Sequence, residues 1–277
     1  MKTIMFALAM ALLVLAAVIP GADAGGNILW TLNGVPICTA GFEQEYPQLV
    51  SDGNGGAIIA WQDYRSDSDY DVYAQRVDAN GDTLWAVDGV PICTAADDQD
   101  YPQLVGDGSG GAIITWEDRR GATADIYAQR VDANGDTLWA ANGVPICTVA
   151  SQHESPQLVG DETGGAIIAW QDYRGGASDI YAQRLGANGD TLWAADGVAI
   201  CTAANSQYSP QLISDGFGGA VITWHDYRSG SNYDVYAQRV DANGNTLWSA
   251  DGVPISTAAN LQFSPKLVAD GLGGAIK

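Results

Sequence analysis

Basic residues are scarce in this chain: 12 Lys and Arg stand against 33 Asp and Glu, for a net charge of −21. So acidic a surface repels phosphate backbones and anionic headgroups, which excludes nucleic acid as a partner. Histidine is rarer still. Only His153 and His225 occur, in different parts of the chain, and neither stands at a metal-ligand spacing from a cysteine or a second histidine. No G-x-S-x-G elbow, phosphate loop or zinc motif is present. Past the first two dozen residues no apolar run is long enough to cross a bilayer, and helical periodicity is nowhere sustained.

What is present begins with "MKTIMFALAMALLVLAAVIPGADA", a basic second residue, an apolar run and a small-x-small end at Ala22 and Ala24. Residues 1–24 read as a secretory leader. The mature protein is then expected to be exported, to periplasm, cell surface or medium, without membrane insertion. Four cysteines in an exported chain invite disulfides, but Cys38, Cys93, Cys147 and Cys201 all occupy the same place in a recurring "(V/A)-(P/A)-I-C-T", with Ser256 in the fifth copy. Equivalent positions in successive units lie farther apart than the roughly 7 Å that a bridge tolerates between Cα atoms. They read as small packing residues.

The recurrence extends along the whole chain. Tryptophans at 30, 85, 139, 193 and 248, and a second set at 61, 116, 170 and 224, share a period of about 54 residues. Such a period marks a repeat array. Each unit reads as four short strands: "PQLVSD", a Gly-rich turn, "AIIAWQD", a variable loop, "DVYAQRVD", an "ANG" turn, and "TLW" with "GVPICT". The run "AIIAW" is apolar on both faces, as a strand requires when its sheet is sandwiched between two others. The expectation is an all-β fold, a β-propeller of four-stranded antiparallel blades. Its domain covers residues 25–277, with units at about 40–94, 95–148, 149–202 and 203–257 and partial units at 28–39 and 258–277. Because "DGLGGAIK" stops inside a second strand, the propeller is expected to be incomplete and the chain a fragment. The early "GGNILWTLNGVPICT" is expected to supply the outer strand of the last blade.

The stretch "PQLVGDGSGGAIITWEDRRGATADIYAQRVDANG" (102–135) resembles the TolB-type propeller repeat, with Pro102, Asp107, Gly108, Ile114, Trp116, Asp118, Arg120, Asp125, Ile126, Tyr127, Asp132 and Gly135 at its pattern positions. The resemblance implies a bacterial propeller. It implies no particular partner, since function resides in sites and not in folds.

An aspartate and an arginine follow the inner tryptophan in every complete unit: Asp63 and Arg65, Asp118 and Arg120, Asp172 and Arg174, Asp226 and Arg228. With the second column at Arg76, Arg130, Arg184 and Arg239, they account for eight of the nine arginines. A pair repeated identically reads as structural, with anion binding as the alternative. The turns offer oxygen ligands at alternate positions, Asp78, Asn80 and Asp82, then Asp132, Asn134 and Asp136. These are calcium candidates, but their glycine falls at the fourth place and no later Glu completes the loop, so neither metal nor any other cofactor is expected. His153 stands where other units carry Gln44, Gln99, Gln207 and Gln262, and reads as a polar loop residue.

The copies differ in two loop sets that emerge on one face, whereas the turns of the other face are nearly uniform. Glu43, Glu45, Tyr46, Asp67, Asp69 and Tyr70 form an acidic, aromatic patch there, suited to a glycan or a basic protein segment. The expectation is a secreted, non-catalytic binding or surface-interaction module whose partner is a protein or a glycan. A structural segment of a longer surface protein is the alternative, and a carbohydrate-active enzyme, for which plentiful carboxylates would serve, is the third reading.

Overall fold

The computed structural model describes residues 30–31, 33–263, 265–269 and 275–276. The leader segment, on which the expected export rests, lies outside the described residues, and of the terminal "DGLGGAIK", on which the expected interruption rests, only Ala275 and Ile276 are described. Four four-stranded antiparallel sheets follow one another. The first holds β1 (Gln44–Ser51), β2 (Ala57–Asp63), β3 (Asp71–Val77) and β4 (Val90–Cys93); the second β5 (Gln99–Gly106), β6 (Ala112–Asp118), β7 (Asp125–Val131) and β8 (Val144–Cys147). The third holds β9 (His153–Gly160), β10 (Ala166–Asp172), β11 (Asp179–Leu185) and β12 (Val198–Cys201). The fourth holds β13 (Gln207–Ser214), β14 (Ala220–Asp226), β15 (Asp234–Val240) and β16 (Val253–Ser256), and a short ladder of β17 (Val268–Ala269) with β18 (Ala275–Ile276) follows. No helix occurs among the described residues.

In every four-stranded sheet the spatial order of the strands is the chain order. First strands pack on first strands, β1 on β5, β5 on β9 and β9 on β13. They therefore gather about an axis, with the fourth strands outermost. This is the expected β-propeller, and its cause is legible in the second strands: β2, β6 and β10 are buried at every residue. Trp61, Trp116, Trp170 and Trp224 are wholly buried between sheets.

Two further devices bind one blade to the next. Trp85, Trp139 and Trp193 each donate Nε1–H to a carbonyl in the following blade's turn, Ala133, Ala187 and Ala242, at 3.0 to 3.1 Å. Arg76, Arg130 and Arg184 reach the same three carbonyls through Nη1 while pairing with Asp52, Asp107 and Asp161 of their own blades. Trp30 makes the equivalent bond to Ala79 O at 3.1 Å, and Ile37 is buried against Trp61. The early segment thus docks on the first blade as a fourth strand docks on its successor.

Each first strand carries a bulge near its start, where register shifts between Glu45 and Gln48, between Asp100 and Gln103 and between Tyr208 and Gln211. Tyr46, Tyr101, Ser155 and Ser209 sit at the bulges with φ of 49° to 55°. A bulge leaves one backbone N–H without a ladder partner. At Tyr101, Ser155 and Ser209 that proton is taken by a side chain of the preceding blade, and the site begins with it.

Candidate active site

The residue after each inner tryptophan lies near the end of its second strand, beside the axis. Gln62 Oε1 accepts the bulge N–H of Tyr101 at 3.0 Å, and Gln171 Oε1 accepts that of Ser209 at 2.7 Å. In the second blade this position is Glu117, whose Oε1 accepts the N–H of Ser155 at 2.8 Å. The amide suffices for the bond. A carboxylate there adds a charge that burial opposes, and the Glu117 carboxyl is pushed up to about 7 by desolvation, with Glu154 and Asp100 adding repulsion and the Ser155 bond and Arg119 working the other way.

Arg119 is equally singular, since Tyr64, Tyr173 and Tyr227 occupy its place in the other blades. Its Nη2 lies 3.4 Å from Glu117 Oε2, and its Nε donates to Asp100 Oδ2 at 3.2 Å. Burial raises the Asp100 carboxyl, against the bond from Arg119. Glu117, Arg119, Glu154, Ser155 and Tyr101 line one cavity of about 470 Å³. Glu154 Oε2 accepts the Tyr173 hydroxyl at 3.2 Å, and Glu154 Oε1 accepts Gln152 Nε2 at 3.2 Å. A carboxyl whose proton equilibrium is drawn toward neutrality and a second, hydrogen-bonded carboxylate lie in the same cavity, the kind of pairing from which acid–base chemistry is built. The sequence reading missed it, although the signal was present: Arg119 stands where the other three copies carry tyrosine, and Glu117 is the one carboxylate at a position held elsewhere by Gln62, Gln171 and His225.

The patch expected from the variable loops lies on this same face, because strand polarity brings the starts of first and third strands and the ends of second and fourth strands to one side. Tyr70 donates its hydroxyl to Glu45 Oε2 at 3.2 Å; burial and Glu45 push the phenol up to about 12. Tyr46 stacks edge-on to Tyr101 with ring centroids 4.9 Å apart, and Tyr64 and Tyr70 are likewise 4.9 Å apart. Glu43 is exposed and contributes its carbonyl to Tyr64 N–H. Asp67 and Asp69 are drawn into their own turn, Asp67 N–H bonding Tyr64 O and Asp69 accepting the Ser66 hydroxyl. The structure therefore gathers Glu45, Tyr46 and Tyr70 toward the axis and leaves the two aspartates aside.

The repeated Asp and Arg form a closed knot. Asp63 takes Trp61 Nε1–H at 2.7 Å and both Nε and Nη2 of Arg65 at 2.9 and 2.6 Å, while Arg65 also bonds Asp88 O and lies 3.7 Å above the Tyr73 ring. Asp118 with Arg120, Asp172 with Arg174 and Asp226 with Arg228 repeat every contact. In the turns, Asp78 Oδ1 accepts the N–H groups of Asn80 and Asp82 at 2.8 and 3.0 Å, and Asp132 Oδ1 does so for Asn134 and Asp136. These bonds hold Asp78 and Asp132 below the ordinary carboxylate range and commit one oxygen of each to the backbone.

His153 is not a loop residue. It opens β9 fully buried, with Nε2 3.3 Å from Cys147 Sγ and 3.5 Å from Asp172 Oδ2 and Nδ1 3.1 Å from Ala124 O. The absence of a partnering cysteine, inferred from spacing, is corrected by the connection from β8 to β9, which brings Cys147 back beside it. Cys147, His153 and Asp172 are close enough to share a metal ion, yet Arg174 Nη2 stands among them, 3.2 Å from Cys147 Sγ and 2.5 Å from Asp172 Oδ2. Guanidinium groups face Cys38, Cys93 and Cys201 in the same way, so the cluster is a packing unit with histidine in place of glutamine. All four cysteines are free.

No protein-family model matches the chain, and no curated protein does. Among solved structures it is similar to an α-L-arabinofuranosidase of Fusarium graminearum (11% identity, 77% of this chain and 68% of that one, TM-score 0.46). It is similar also to an α-L-arabinanase of Penicillium chrysogenum (13%, 77% and 69%, TM-score 0.46) and to an endo-1,5-α-L-arabinanase of Thermotoga petrophila (15%, 79% and 62%, TM-score 0.43). Likeness at this level concerns architecture and assigns no activity. Two expectations are nonetheless corrected. The TolB-type resemblance is not upheld, since no family model matches the chain. The expectation of a non-catalytic module is corrected as well, because Glu117 and Arg119, each found in one blade alone, meet beside Glu154 in a single cavity.

Proposed function

We propose that this chain is a carbohydrate-active enzyme that cleaves a glycosidic bond at the mouth of the propeller axis. The observation that carries the reading is Glu117, a buried carboxyl raised to about 7 that shares a cavity with Glu154. Glycoside cleavage needs a carboxylic acid to protonate the leaving oxygen and a carboxylate to act on the opposite side of the sugar. Glu117 is the acid in this reading: Ser155 N–H fixes its Oε1, and Oε2, which Arg119 Nη2 approaches at 3.4 Å, carries the proton. Glu154 is the second carboxylate, oriented by Tyr173 and Gln152. Asp100 is a positioning residue that holds Arg119, and its ion pair limits how far the guanidinium neutralises Glu117.

An exported location, inferred from residues 1–24, suits a polysaccharide substrate, and the −21 charge disfavours nucleic acid and anionic surfaces as partners. The test is hydrolysis of a panel of polysaccharides and nitrophenyl glycosides by the wild-type chain, Glu117→Gln and Glu154→Gln. Turnover lost by at least about a hundredfold in both variants, with folding intact, supports the reading. Turnover unaffected by either change overturns it.

A further inference from the structure

Tyr46 and Tyr101 occupy bulge positions with φ of 49° and 52°, where Ser155 and Ser209 stand in the next two blades at 55° and 53°. A bulky non-glycine residue in this region is strained, and the serines demonstrate that the bulge does not require an aromatic ring. Nor does the core: Tyr46 is 50% exposed and Tyr101 41%. The rings contact each other edge to face across the boundary of the first two blades, and Tyr101 lines the cavity of Glu117 and Glu154. Two exposed aromatics held rigidly beside an acid–base set, at positions that other blades fill with serine, have the features of a platform for the apolar face of a sugar ring.

The charge around the platform restricts the sugar. Glu117 and Glu154 line the cavity, Glu45 and Asp100 immediately precede the two tyrosines, and the lining guanidinium, Arg119, is already engaged by Asp100 and Glu117. A uronic acid would enter among carboxylates, where the cation lining the cavity is already committed to two of them.

We propose that the substrate is a neutral oligosaccharide lying across the first two blades, one ring on the Tyr46 and Tyr101 platform and the adjoining glycosidic bond at Glu117. The proposal rests on the glycan-processing reading above, and separates from it by size of substrate. A monosaccharide glycoside reaches Glu117 without the platform, whereas a longer chain uses both.

The experiment compares wild type with Tyr46→Ser, Tyr101→Ser and the double variant, in which serine retains the bulge as at Ser155 and Ser209. The probes are ladders of neutral gluco-, xylo-, manno- and arabino-oligosaccharides up to hexasaccharides, the matching nitrophenyl monosaccharide glycosides, and oligogalacturonate. Binding is read by calorimetry and cleavage by product release. The expected result is binding of a neutral hexasaccharide weakened at least about tenfold in the double variant, with hexasaccharide cleavage losing more than nitrophenyl glycoside turnover does and the fold retained. Tyrosine-dependent binding of a neutral hexasaccharide without any turnover upholds the platform and overturns the catalytic reading. Turnover that is indifferent to both tyrosines, absence of binding to every ladder, or preference for oligogalacturonate overturns the platform proposal.

Discussion

Glu117 Oε1 and Ser155 N–H meet at 2.8 Å across the boundary between the second and third blades. The same bond is made by neutral Gln62 and Gln171 elsewhere. One architectural position thus carries an amide where it only holds blades together and a carboxyl where the cavity opens.

Glu117→Gln is therefore expected to fold, with the introduced amide making the bond that Gln62 and Gln171 make in their own blades. It should also change the pH dependence of stability. The folded carboxyl is raised to about 7 from its ordinary 4.5, so the folded state binds the proton more tightly and stability is lost as pH rises from about 4.5 through 7. Thermal denaturation should show wild type and variant similar near pH 4.5 and the variant more stable at pH 8, by ~3 kcal/mol as an upper bound. A constant difference across that range would remove the buried-acid assignment.

The knot at Asp226 predicts the opposite behaviour. Asp226→Ala strips Trp224 Nε1 and the Arg228 guanidinium of their shared acceptor in a fully buried place. Urea unfolding should register a loss of ~3–5 kcal/mol, the penalty for breaking one side of a buried ion pair.

Glycine substitution separates packing from backbone strain. Gly143 and Gly108 both have positive φ, 87° and 74°, but a Cβ at Gly143 would lie 2.6 Å from Trp116 Cη2 and 2.8 Å from Ala128 O, whereas one at Gly108 meets nothing within 4 Å. Gly143→Ala should lower stability by ~1–3 kcal/mol more than Gly108→Ala, the added cost of overpacking. Equal melting temperatures for the two variants would contradict the packing.

The cysteines supply a covalent probe. Cys93, Cys147 and Cys201 are buried and their thiols are pushed up to about 12 by desolvation, while Cys38 is only half-buried. A thiol reagent should label Cys38 first in the native protein and all four after denaturation. Fewer than four thiols after denaturation without reductant would reveal a disulfide that the repeat geometry forbids.

Local chemistry repeated at a fixed period was enough for the sequence by itself to determine the blades. "AIIAW" has no polar face to show solvent, and all of β2, β6 and β10 is buried; the Asp and Arg after each tryptophan pair because only one residue separates them at a strand end. The site was legible only as difference. Arg119 was the ninth arginine outside both columns, and Glu117 the one carboxylate after an inner tryptophan, but neither declares a role along the chain. Tertiary structure decided those roles, and the physical reason is distance. Glu117 meets Ser155 and Glu154 across a blade boundary, Tyr46 meets Tyr101 one repeat apart, and His153 is buried against Cys147 and Asp172, contacts that arise only when blades close around an axis and exclude water from the groups between them.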